Sequence, residues 1–188
     1  MRIAAQKSQI GIFLALLGLL GGAGFYILQQ NGAPTPNGST QGNSPTSQVA
    51  PQDHKVSIYW IEASEKKFKA VPVVVKGIDG EQALEASLKK LLDNPPDGFF
   101  SGIPTGTKLL NFTANDRDIF VNVSAEFRNG GGSSSMIGRV TQLVYTATSL
   151  NPDANVFLLI EGEPIGALGG EGLEIKQPMT RKDLPLEF

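Results

Sequence analysis

Acidic side chains are the most reactive groups this chain offers. Glu126, Glu161, Glu163 and Glu171 all fall at predicted strand ends or in loops. Glycoside hydrolysis needs two carboxyls at a set separation, one of them with a raised pKa. The spacing of these four fixes no such separation, and one Trp and three Tyr leave few rings to stack on a sugar. The single histidine, His54, sits between Asp53 and Lys55 and reads as solvated, so no Ser-His-Asp triad is built around it. Asp116 and Asp118 flank Arg117 without the spacing of a calcium loop and read as hairpin-turn residues. Cysteine is absent, which removes thiol catalysis, thiolate zinc sites and iron–sulfur clusters. The chain is therefore read as a non-enzyme with no catalytic, cofactor-binding or metal-binding residue. A glycan-binding module or weak glycan hydrolase is the alternative.

Two glycine clusters resemble anion cradles only superficially. Gly130 to Gly132 precede a predicted helix, but no Gly-Lys-Ser/Thr follows, so this is not a P-loop. Gly166 to Gly172 lack the dinucleotide-binding order and open no helix. Both read as turns. Phe99 and Phe100 are different: two adjacent aromatics in a Pro/Gly-rich loop. Either one plugs the core, or they form an exposed anchor for a partner. They are the candidate interaction residues.

The elements that position these groups follow from periodicity. Lys55 to Glu62 alternates as a strand, and Phe68 to Lys76 forms a second, with Pro72 marking an edge position or a strand start. Asp79 reads as an N-cap for a helix carrying Leu84, Leu88, Leu91 and Leu92 and ending before Pro95-Pro96. Lys108 to Ala114 and Ile119 to Val123 form strands around an Asn115–Asp118 turn. A second helix is predicted over Met136 to Leu150, with serines ahead of it as candidate caps, and ends at Asn151-Pro152. Val156 to Ile160 is an apolar, central strand, and a looser one lies around Leu173 to Lys176. The order β-β-α-β-β-α-β-β predicts an α+β fold, a mixed β-sheet with two helices packed on one face.

Ahead of this domain (53–188) the chain carries no charge from Ser8 to Gln52. Residues 10–28 are nineteen without a charge, and as a helix they span about 28 Å, close to a bilayer's hydrocarbon thickness. Gly18 and Gly22 also form a small-xxx-small pair suited to helix association. Arg2 and Lys7 precede the span and no base follows until Lys55, so residues 1–9 are placed in the cytoplasm and the domain outside. A cleaved signal peptide is the competing reading; the apolar run is longer than the ~7–15 residues usual for one. Residues 29–52 form a Pro/Gly/Ser/Asn linker too polar to fold, with a span on the order of 25 Å. All eighteen acids lie in the domain against fourteen bases, a formal charge of −4, which argues against nucleic acid.

Several stretches, in order, resemble the GerMN domain, the sporulation and spore germination family. Asn94 to Thr107 (NPPDGFFSGIPTGT) is similar to its signature loop, Val121 to Phe127 to its strand ending in Glu-Phe, and Thr141 to Thr146 to its second helix. Leu158 to Gly162 with Pro164, and Pro178 to Arg181, complete a likeness over nearly all of Asp53 to Pro185. The resemblance implies an extracytoplasmic, non-catalytic module of membrane-tethered envelope proteins, in a fold like the ring-building modules of secretion-like assemblies. Spore-former members typically carry two such domains and a lipid anchor; this chain has one domain and no lipidation cysteine.

The expectation is a single-pass protein of the plasma (inner) membrane, its domain mediating protein–protein interaction or assembly outside the cytoplasm. Envelope or membrane proteins, or a second copy, are the expected partners. No small-molecule ligand is assigned.

Overall fold

The computed structural model describes residues 50–169 and 173–187. The predicted membrane span and nearly all of the linker lie outside these residues, and no helix among the described residues is long and apolar enough to cross a membrane.

The chain opens with a long hairpin. Strand β1 (Gln52–Glu62) pairs antiparallel with β2 (Lys67–Gly77) along its whole length. It starts at Gln52, earlier than the alternation predicts. His54 is therefore a half-buried strand residue opposite Val75, its Nε2 3.1 Å from the Gly77 carbonyl, and not a solvated one. Pro72 sits on β2, the outer strand of the order β2-β1-β3, where a missing N–H costs no ladder bond. Helix α1 (Gly80–Leu92) starts at Asp79, whose carboxylate accepts from Gln82 N at 2.9 Å, and buries Leu84, Leu88 and Leu91. The two-residue strand β3 (Phe99–Phe100) then returns to the end of β1.

Strands β4 (Leu109–Ala114) and β5 (Asp118–Val123) form the second hairpin. Its turn is closed by Asn115, whose Oδ1 accepts from the amides of Arg117 and Asp118. A 3₁₀ turn (Ala125–Arg128) buries Phe127 and leads to α2 (Ser133–Ala147). Strand β6 (Asn155–Ile160) runs parallel to β5, and β7 (Glu163–Pro164) turns back on it. A small hairpin pairs β8 (Ala167–Leu168) with β9 (Leu173–Glu174).

The class is α+β with two helices, as the periodicity predicts. The strands, however, divide into a three-stranded sheet (β2-β1-β3), a mixed four-stranded sheet (β4-β5-β6-β7) and the small hairpin. The core explains the division. One apolar cluster joins Ile58 and Trp60 of β1, Leu88 of α1, Val121 of β5, Leu143 and Val144 of α2, and Leu158 of β6. Nearly every side chain of α2 from Met136 onward is buried. A helix apolar on one stripe alone needs one cover; this helix also carries a polar stripe that the first sheet satisfies.

Candidate functional site

That polar stripe positions the most plausible contact surface. Ser135, Arg139, Gln142 and Thr146 recur at helical spacing along α2, and three of them reach β1, the segment just after β3 or the loop preceding the helix. Thr146 Oγ1 accepts from the Tyr59 amide at 3.0 Å, and Gln142 Nε2 donates to the Tyr59 carbonyl at 3.0 Å. Gln142 Oε1 accepts from the Gly102 amide at 2.7 Å. Ile61 pairs with Phe100, so the same register carried on would place Gly102 opposite Tyr59. The Gln142 side chain stands between those two instead, and this ends β3 after two residues. Gly102 must lie close against α2 for the bond to form: a Cβ there would sit 3.2 Å from Arg139 N and from Ser135 O, both backbone of the helix.

Arg139 is 1% exposed and forms no ion pair with a carboxylate among the described residues. Its guanidinium donates to the carbonyls of Phe127 (2.7 Å), Asn129 (3.1 Å) and Gly130 (2.8 Å), and Nη2 lies 3.4 Å from Ser135 Oγ. Its Nε has no hydrogen-bond partner among the described residues. Burial pushes its pKa down from the ordinary arginine value. The three carbonyls fold the loop Asn129–Gly132 over the guanidinium. Gly131, at φ 81°, passes so near that a Cβ would meet Nη2 at 2.8 Å.

At the other end of α2, Arg181 occupies the orphan carbonyls. It donates to Tyr145 O and Thr148 O, both at 3.0 Å, and to Thr148 Oγ1 at 2.8 Å, while its guanidinium lies 4.8 Å from the Tyr145 ring centroid and 5.4 Å from that of Tyr59.

These ties leave a groove of about 540 Å³ between β3 and the start of α2, lined by Ile61, Lys66, Phe100, Ser101, Gly102, Ser134 and Ser135. The two candidate phenylalanines separate here. Phe99 is half-buried and packs on the core, whereas Phe100 is 41% exposed and forms the groove's apolar wall. The sequence reading missed Lys66, Arg139 and Gln142; the signal was a polar stripe cut through an otherwise apolar helix. The predicted capping serines are inside the helix, whose N-cap is Gly132, without a side-chain cap bond.

The acidic residues do other work. Glu161 Oε1 accepts from the Ala125 amide at 2.9 Å and so caps the 3₁₀ turn. Glu126 is held below the usual carboxylate range by the Ser124 hydroxyl and by backbone hydrogen bonding, the reverse of what a general acid needs. Glu163 is exposed on β7, and Glu171 lies outside the described residues. Asp118 accepts from Asn155 Nδ2 at 2.8 Å. No group of three or more His, Asp or Glu among the described residues is placed to hold a metal.

The family model for sporulation and spore germination, the Germane domain, matches residues 57–166. No curated protein matches the chain. Among solved structures, the first GerMN domain of the sporulation protein GerM from Bacillus subtilis aligns with a TM-score of 0.54 at 21% identity, over 69% of this chain and 99% of that one. The tandem GerMN domains of the same protein align with a TM-score of 0.52 at 22% identity, over 70% of this chain and 48% of that one, so this chain spans about half of the tandem. A candidate lipoprotein from Clostridium perfringens aligns with a TM-score of 0.50 at 22% identity, over 72% and 93%. At such identities these likenesses concern the fold. The family match over residues 57–166, more than half of the chain, carries the assignment: the chain belongs to the sporulation and spore germination family and carries its GerMN domain.

Proposed function

We propose that this protein is a non-catalytic component of the cell envelope, anchored through residues 10–28, whose GerMN domain works outside the cytoplasm by binding another envelope protein or a second copy of itself. The observation that carries the reading is the exposed Phe100 beside the groove at the start of α2: an aromatic wall fixed in place by buried polar ties to Gln142. Aromatic residues on a rigid support are what protein interfaces use as anchors. Family membership and the presence of a candidate lipoprotein among the structural relatives support the envelope location.

A photo-crosslinking phenylalanine analogue at position 100, in living cells, tests this. Adducts to a discrete envelope protein or to a second copy are expected from position 100 and not from position 74, an exposed site on β2. Equal adducts from both positions, or none, overturn the proposal. So does saturable binding of the protein to purified wall glycan with no partner present.

A further inference from the structure

Resting on the interaction reading above, we propose that the Phe100 groove receives an acidic peptide segment of its protein partner. A carboxylate would sit at the first turn of α2, with a neighbouring apolar side chain against Phe100 and Ile61. Three sources of positive potential converge there. The first is Lys66, which among the described residues is the one charged residue lining the groove and is in no ion pair. The second is the start of α2: no side chain caps it, its first turn holds no acid, and its first intrahelical bond is Met136 N to Gly132 O, so the preceding amides lack helical acceptors. The third is Arg139, which lies behind the groove wall, buried with no carboxylate partner among the described residues, its Nε unpartnered among them and its Nη2 3.4 Å from Ser135 Oγ, itself a groove residue. A buried cation lacking a carboxylate is costly, and an incoming anion relieves that cost.

Among the described residues no carboxylate lines the groove. Of the nearby acids, Glu62 is taken by Lys69 at 2.6 Å, and Glu65 lies in the turn outside the lining. The apolar half formed by Phe100 and Ile61 asks for a greasy group next to the anion. The size falls within the roughly 300–1,000 Å³ of ordinary ligand sites, which suits a short segment. An anionic lipid surface would offer similar chemistry, but the domain's formal charge of −4 opposes approach to it, whereas a peptide can enter the groove alone.

The full-length chain in neutral detergent is titrated with a fluorescent hexapeptide alternating glutamate and leucine, with its glutamine–leucine counterpart, and with phosphatidylglycerol vesicles. The glutamate peptide is expected to saturate, and the glutamine peptide to bind about tenfold more weakly. Added salt should weaken the former. Lys66→Glu should lower its affinity about fivefold or more, and Phe100→Ala severalfold; both alter exposed side chains and leave the fold intact. Equal affinity for the two peptides, indifference to Lys66→Glu, or capture of vesicles in preference to peptide would overturn the proposal. Position-100 crosslinks that persist while the peptides fail would remove this inference and keep the interaction reading. Loss of both would remove both.

Discussion

Arg181 shows how much of this domain hangs on single side chains. Its guanidinium meets two helix carbonyls, a hydroxyl and two rings at once. Arg181→Ala should cost about 2–4 kcal/mol in urea unfolding, and Arg181→Lys should recover less than half, because an ammonium cannot reproduce the fork. Its neighbour Asp183 accepts from the Thr180 hydroxyl at 2.7 Å and from the Thr180 amide at 2.8 Å, which hold its carboxyl below the usual range. A depressed carboxyl contributes stability above the unfolded-state value of about 4 and loses it as pH falls through the folded-state value. Asp183→Asn should therefore destabilise the protein at neutral pH, and the gap from wild type should close as pH falls below about 4. Thermal unfolding across that range checks it. Neither arginine role was readable from sequence. Arg139 and Arg181 act on carbonyls brought near by tertiary folding, and composition gives no hint of which carbonyls those are.

At the scale of elements, the apolar and turn signals were legible wherever the physics is local. Asp79 capped its helix, Asn115 closed its turn, and Pro72 fell on an outer strand, since each depends on residues within a few positions. What failed depends on distant partners. β3 is two residues long because Gln142 replaces its next rung, and the single predicted sheet is divided, with the polar stripe of α2 bonded to β1 of the three-stranded part. Gly102→Ala tests this join. The added methyl meets helix backbone, which cannot move aside as a side chain would. It should cost about 1–3 kcal/mol and displace Phe100, giving hydrogen-exchange changes confined to β3 and the first turns of α2.

For the whole molecule, the family and the fold were legible because several stretches kept their order over most of the domain, and residues 57–166 bear that out. A tag after Phe188 should be digested by protease added to intact spheroplasts; protection until lysis would place the domain on the wrong side. The hairpin has a mechanical consequence. Eleven residue pairs link β1 to β2, and the chain ahead of the domain joins at Gln52, where that ladder begins. Tension applied there along the strand loads those rungs together in shear instead of peeling them one at a time. A domain pulled from this end would therefore have to break the whole ladder at once, which peeling would not require.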